Sequence, residues 1–368
     1  NRLRQRAVEE LMVRRDWAEQ ARLAERRERV EQAVASVGEG GVAGEAGARG
    51  GPPHVEVTTS VAPDRHPTLA PRTASARPTD RASDFRLVAE VFTADDARSA
   101  AEAGATEIVF DPFLRHPAPP KSRLAGLASE LGERGVALRL RTPTVVRPEE
   151  RRVVDRWLAL DLPVQSGHLG LVAELARAGR DVVADYAVNC FNQHTAAEYF
   201  RLGARRIVLS VELTVEELTR VAAPWAGRGF DVFVYGRPEG MTIEHCVLSA
   251  AFDREPTKCR DLCTRDHTNV ELTDPAGYTF PVATDSACRN RLLHSRPVEG
   301  SEYLPRLWAG GLRGYQLVFN VPGETVAPVV ARYRAALDAL AAGTRPDLAA
   351  VRELVGGAFT RGHFARAV

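Results

Sequence analysis

Residues 182–210 read VVADYAVNCFNQHTAAEYFRLGARRIVLS and hold one complete unit of a repeating pattern. A short apolar run comes first, over 182–188. An amphipathic stretch follows over 194–202, then Gly203, then a second apolar run over 206–210. Short β-branched runs flanking a helix-period segment predict strand, helix and parallel strand. The same unit recurs outward in both directions. Strands are predicted at 86–91, 106–110, 136–141, 163–166, 182–188, 206–210, 231–235 and 315–320. Helices are predicted at 94–103, 122–133, 148–160, 169–178, 194–202, 215–227, 301–309 and 324–341. Gly104, Gly135, Gly179, Gly203, Gly229 and Gly314 sit at the helix-to-strand joints, where a left-handed backbone ends a helix without a Cβ clash. Eight alternating units over 85–341 predict an α/β fold with a parallel sheet closed into an eight-stranded, TIM-like barrel. A doubly wound open sheet shares the same alternation and stands as the alternative.

One connection breaks the rhythm. About 65 residues separate Tyr235 from the helix at 301, and a connection this long inside a domain is usually functional. The insertion, 240–300, leaves the C-terminal end of the seventh strand, the end at which barrel enzymes carry their chemistry. Before the barrel, 1–33 has apolar residues at helical spacing. Residues 34–84 are rich in Gly, Ala, Pro, Ser and Thr, a composition too poor in large apolar side chains to offset the entropy of ordering. They are expected to form a helical tail of a preceding domain and a disordered linker. Residues 342–368 are expected to form a C-terminal helical tail.

The composition excludes several classes. No apolar run approaches the roughly 18 to 20 residues of a membrane span, and no signal peptide opens the chain, so it is expected to be cytoplasmic, with no membrane partner. The first residue is Asn1, which suggests a piece of a longer protein. A net charge of +1 gives no global nucleic-acid signature. Lys121 and Lys258 are the only lysines, a bias that GC-rich codons explain. No G-x-S-x-G elbow, H-E-x-x-H helix or P-loop occurs.

Four of the five cysteines, Cys246, Cys259, Cys263 and Cys288, fall within the insertion. An odd total in a chain of this length argues against a disulfide framework. Thiolates bind soft metals, and four of them complete a tetrahedral ion or a cubane cluster. Only Cys259 and Cys263 form a tight pair, whereas structural zinc commonly uses two; spacing alone leaves zinc and an iron–sulfur cluster both open. Cys190 reads as a packing residue. Polar residues gather at the predicted strand ends: Glu90, Asp111, Thr142, His168, Asp185, Asn189, Asn192, Ser210, Glu212, Tyr235, Arg237 and Glu244. Glu90 and Asp111 have a plainer reading as helix caps, and His168 and His245 as core histidines.

Several of these residues stand in motifs. Asp185-Tyr186 through Asn189 to Phe191-Asn192, Leu209-Ser210-Val211-Glu212-Leu213-Thr214 and Tyr235-Gly236-Arg237 follow one another. Met241, Glu244-His245-Cys246, the Cys259/Cys263 pair, Phe280-Pro281-Val282, Asp285 and Cys288-Arg289 come next, and Gly362-His363-Phe364 lies near the C-terminus. In this order the motifs resemble the collagenase-like peptidase family U-32. Residues 1–25 resemble the end of the extra domain that long members carry, so the N-terminal half of the same longer protein is an expected partner. The family label implies proteolysis of collagen-like substrates. Its better-understood relatives are oxygen-independent hydroxylases of a pyrimidine in ribosomal or transfer RNA, drawing on prephenate, or of the ubiquinone ring. The resemblance implies that Cys246, Cys259, Cys263 and Cys288 hold a 4Fe-4S cluster fed by a redox partner. Glu212, Tyr235, Arg237, Glu244 and His245 are then expected to line a substrate pocket beside it.

Overall fold

Each predicted apolar run becomes a strand because its side chains alternate between the helices outside and the barrel lumen. The computed structural model describes residues 84–255, 258–259, 262–265, 267–355 and 358–366, with the isolated positions Gln20, Ala24, Glu25 and Glu28. The chain divides into two units, 1–70 and 71–368. The four isolated positions are helical; the expected helix over 1–33 and linker over 34–84 otherwise lie outside the described residues, Asp84 excepted.

In chain order the second unit begins β1 (Arg86–Val91), α1 (Ala94–Glu102), β2 (Glu107–Phe110), α2 (Lys121–Glu133), β3 (Ala137–Thr142) and α3 (Arg151–Leu158). It continues β4 (Val164–Ser166), α4 (Leu169–Arg177), β5 (Val182–Ala184), α5 (Gln193–Arg201), β6 (Arg206–Val208), α6 (Val215–Ala222) and β7 (Phe230–Gly236). The insertion supplies β8 (Glu239–Ile243), α7 (Val247–Ala251), α8 (Leu262–Arg265), β9 (Val270–Thr273), β10 (Thr279–Thr284) and β11 (Asn290–Leu293). The chain then runs through β12 (Val298–Glu299), α9 (Leu304–Ala309), β13 (Gly314–Val318), α10 (Val326–Ala341) and α11 (Ala349–Val355). Strands β1 to β7 pair in sequence and in parallel, and β13 pairs in parallel with both β7 and β1. The sheet is therefore a closed barrel of eight parallel strands, and the open-sheet alternative is excluded. Among the described residues no helix is long and apolar enough to cross a membrane.

Local chemistry sets the element ends. Thr93 caps α1 by accepting from Asp96 N at 3.1 Å, and Thr214 forms a capping box with Glu217 at α6. His168 is also a cap: its Nδ1 accepts from Leu171 N at 3.1 Å at the start of α4. The strand expected over 182–188 stops at Ala184. Asp185 accepts from Ala187 N, a 3₁₀ turn follows over Tyr186–Val188, and Asn189 closes it with φ 55°. The expected helix over 301–309 opens as a 3₁₀ turn, Ser301–Tyr303, before α9. Gly314 differs from the other joint glycines. Its φ is not left-handed, but a Cβ there would lie 1.7 Å from Asp231 Oδ1, which the Arg86 guanidinium also contacts at 2.9 Å.

The outward strand residues, such as Leu87, Ala89, Ile108, Phe110 and Leu140, merge with the helices into one hydrophobic core. The lumen is different. TIM barrels usually fill it with branched apolar side chains. Here its lower end holds Glu107 between Arg139 (2.9 Å) and Arg206 (2.5 Å), with Asp231 3.1 Å from Arg206. Its upper end holds a second charged group, described below.

The insertion is not irregular. Its four strands form a separate antiparallel sheet in the order β8-β11-β10-β9. Among the described residues the expected C-terminal helical tail is helical only at α11; farther on, Thr360 pairs with Val298, and the buried Phe364 ring stacks on Tyr303 at 5.1 Å.

Candidate functional site

The four insertion cysteines converge on one cavity of about 70 Å³. Its lining comprises Cys246, Cys259, Cys263 and Cys288 with His116, Leu248, Ser249, Leu262, Thr284, Asp285 and Ser286. A water needs roughly 10–15 Å³ on this measure, so there is room for several atoms. The residues reach it from separate elements. Cys246 is the residue before α7, Cys263 lies on α8, and Cys288 sits in the β10–β11 turn.

Polar side chains hold these elements in register. Asn290 Oδ1 accepts from Val247 N at 2.6 Å, and its Nδ2 donates to Thr284 Oγ1 at 2.7 Å, joining the Cys246 turn to the Cys288 hairpin. Asp285 Oδ1 accepts from Ala287 N and Arg289 N, and Cys288 takes φ 61° within that turn. Arg289 then donates to Val145 O at 2.7 Å and pairs with Glu150 at 2.9 Å, fixing the hairpin to the loop after β3. The loop after β2 is held as well, through His116 N donating to Thr284 O at 2.8 Å.

Burial, and then the neighbouring Cys246, Cys259 and Cys288, push the Cys263 thiol up to about 11. Four soft donors around one space are the donor set of a Cys₄ centre. Among the described residues no three His, Cys, Asp or Glu groups are drawn together tightly enough to hold a single ion. A zinc ion requires each sulfur within about 2.3 Å. The four thiols are a donor set that either a single Cys₄ ion or a cubane cluster uses.

A second group closes the barrel mouth beneath the insertion. Arg141, from β3, reaches Asp111 (3.0 Å), Asp185 (3.2 Å), Glu90 (3.3 Å) and Glu239 (2.6 Å). Arg291, from β11, reaches Asp111 (2.6 Å) and Glu239 (3.1 Å). Two guanidiniums thus face four carboxyls. Burial pushes Glu90 up to about 8, so it is largely protonated at neutral pH. Burial opposes ionisation of Glu239 too, but Arg141 and Arg291 overcome it and hold that carboxyl down at about 2.

None of the five polar candidates lines the cysteine cavity. Glu212 and His245 are exposed, and Glu244 pairs on the surface with Arg147. Tyr235 is buried, with its ring against Phe319 and Tyr333. Arg237 is half-buried and donates to His294 O at 2.8 Å. Glu90 and Asp111 belong to the mouth cluster and do not cap helices. Cys190 is fully buried in the core, where burial pushes its thiol up to about 12. Sequence reasoning missed His116 and Ser286, whose Nδ1 and Oγ lie 3.1 Å apart at the cavity wall, because they are 170 positions apart in the chain. It also missed Arg141, although a charged residue alternating with leucines in β3 was a visible sign of a polar lumen.

Among solved structures the chain is similar to the U32 peptidase Mk0906, with 15% identity and TM-score 0.38 over 65% of this chain and 94% of that one. It is also similar to thiamine phosphate pyrophosphorylase from Pyrococcus furiosus, with 12% identity and TM-score 0.35 over 75% and 99%. Dihydropteroate synthase from Thermus thermophilus, in complex with 4-aminobenzoate, shows 15% identity and TM-score 0.37 over 71% and 95%. No curated protein matches. The family model Peptidase family U32 matches residues 168–366, more than half of the chain and the part that holds all four cavity cysteines, and the chain belongs to that family.

Proposed function

We propose that Cys246, Cys259, Cys263 and Cys288 hold an iron–sulfur cluster, most simply 4Fe-4S, and that the protein is an oxygen-independent hydroxylase of a pyrimidine in ribosomal or transfer RNA. The observation that carries this reading is the convergence of four thiols on one cavity near the mouth of the barrel. When bound, a Cys₄ cluster supplies one-electron chemistry whose potential is set by burial and hydrogen bonding. The chain's own residues do the positioning. Asn290 and Asp285 set the cysteine-bearing turns, and Arg289 anchors them to the barrel. Arg141 and Arg291 close the lumen beneath the insertion. In this reading Arg237 holds an anionic part of the substrate or of a prephenate-like oxygen donor, the exposed Glu212, Glu244 and His245 are available to the substrate, and the buried Tyr235 only supports the wall through Phe319 and Tyr333. The N-terminal half of a longer protein and a separate electron donor complete the system.

Anaerobic purification with iron, sulfide and zinc analysis tests the cofactor. A brown protein with about four irons per chain supports it. Cys259→Ser is expected to lose that iron, and unchanged iron content in the variant removes the ligand assignment. One tightly held zinc and no colour would make the centre structural. Comparing hydroxylated pyrimidines in RNA from cells with and without the protein tests the substrate.

A second reading has its own observation. Ser286 Oγ stands 3.1 Å from His116 Nδ1 on the cavity wall, a nucleophile-and-base distance consistent with hydrolysis and with the family label. Peptide cleavage that survives loss of iron and is abolished by Ser286→Ala would favour it.

A further inference from the structure

We propose that Arg115 and Arg237 form an oxyanion-binding subsite at the barrel mouth, taking a phosphate or carboxylate group between the loops after β2, β7 and β13. The inference does not depend on the cluster, although the neighbouring His116 lines the cysteine cavity and places the two features side by side.

Asn320 ties the Arg115 guanidinium to the backbone of Arg237, whose own guanidinium is held by His294 O at 2.8 Å. Arg115 Nη2 donates to Asn320 O at 3.1 Å, and Asn320 Nδ2 donates to Arg237 O at 2.8 Å. Arg115 also lies over the Phe92 ring, 5.4 Å from its centroid, a cation–π contact. The charges themselves are not matched. Among the described residues neither guanidinium has a carboxylate at ion-pair distance, although most other buried arginines of this barrel have one or more. Arg115 Nε and Asn320 Oδ1 are buried without a hydrogen-bond partner. A buried donor left unsatisfied costs about 1–3 kcal/mol. An oxyanion accepts from a guanidinium through two parallel hydrogen bonds, and a hydroxyl or amide on the same ligand would satisfy Asn320 Oδ1.

Burial makes both arginines easier to deprotonate than usual, Arg115 down to about 10, so their charge is desolvated and poorly compensated. The nearby carboxyl, Glu324, is the main charge acting on both arginines but makes an ion pair with neither among the described residues, and it compensates them only in part. Its Oε2 accepts from Val321 N at 2.9 Å, and burial pushes it up to about 7. The position also suits the fold. Strands β7 and β13 are the seventh and eighth of the barrel, and the loops after those strands form the anion sites of many barrels.

The test is calorimetric titration of the full chain with inorganic phosphate, with succinate and with a short 5′-phosphorylated oligoribonucleotide. Saturable binding of one or more probes is expected, weakened roughly tenfold or more in Arg115→Gln and in Arg237→Gln, as loss of a bidentate contact implies. Arg134→Gln, at an exposed site after α2, should bind as the parent does. Arg115→Lys and Arg237→Lys keep the charge and lose the planar fork, so intermediate affinity with an unchanged circular dichroism spectrum separates lost recognition from lost folding. Preference for phosphate over succinate, or the reverse, assigns the group; binding of the oligoribonucleotide alone assigns a nucleic-acid phosphate. No saturable binding of any probe, or binding unchanged in both glutamine variants, overturns the proposal. Iron content is measured on the same samples and is expected to stay constant, so a failed subsite is distinguishable from a failed cluster.

Discussion

Arg141 contacts four carboxyls inside the lumen: Glu90, Asp111, Asp185 and Glu239. Removing one side of a buried ion network leaves uncompensated charge and typically costs about 3–5 kcal/mol. Arg141→Met is therefore expected to lower the urea midpoint by a corresponding amount, and a midpoint within error of the parent would mean that the network adds nothing. Glu90 gives a pH signature of its own. Its folded-state value, about 8, lies above the ordinary carboxylate value, so between the two the folded chain keeps a proton that the unfolded chain has lost. Stability then falls as pH rises from about 5 through 8. Glu90→Gln cannot ionise and should flatten that part of the decline; urea midpoints measured from pH 5 to 9 that run parallel in both proteins would refute the assignment. Glu239 works in the opposite sense. Its depressed value gives stability that is present above the ordinary carboxylate range and is lost as pH falls toward about 2.

At the scale of elements, Asn290 on β11 links two cysteine-bearing turns. Asn290→Ala leaves Val247 N without its acceptor, a loss of about 1–3 kcal/mol if the amide stays buried. It is also expected to reduce iron retention after anaerobic reconstitution, while far-UV circular dichroism of the barrel is unchanged. Full iron occupancy in that variant would show that the turns hold their positions without it. The C-terminal segment makes a second such contact. Phe364 fills the space beside Gly300 and Tyr303, and its carbonyl accepts from Val215 N at 3.0 Å. Phe364→Ala should cost about 3 kcal/mol, in line with other buried phenylalanine truncations. A change within about 0.5 kcal/mol, the range of neutral surface substitutions, would mean the tail detaches without consequence.

At the scale of the whole molecule, the two charged groups of the lumen make the barrel sensitive to both ends of the pH range. Glu107 is held below the ordinary carboxylate range by Arg206 and Arg139 despite burial, so acid weakens the lower group, while alkali ionises Glu90 in the upper one. A stability optimum between these limits is expected, and a chain whose urea midpoint rises steadily to pH 9 would contradict it.

The alternation of short β-branched runs with amphipathic segments determined the parallel α/β class, because a strand buried on both sides and a helix buried on one leave different hydrophobic periods, whereas closure into a barrel was decided by the pairing of β13 with both β1 and β7. Residues 182–210 carried that signal, and the glycines at Gly104, Gly135, Gly179 and Gly203 carried the joints. Cysteine identity and order marked the insertion, because thiols gathered in one connection are visible without coordinates. Three-dimensional packing decided the rest. The charged lumen follows from which face of β3 turns inward, and Arg139 and Arg141 acquire their partners from strands far away in the chain. The small antiparallel sheet of the insertion depends on cross-strand pairing, which short segments such as Val270–Thr273 do not signal alone. The placement of His116 against Ser286, and of Arg115 near Arg237 through Asn320, arises only when loops from opposite ends of the sequence meet at the barrel mouth. Sequence periodicity records local burial, whereas a site assembled from several loops is a property of closure, and closure exists only in the folded chain.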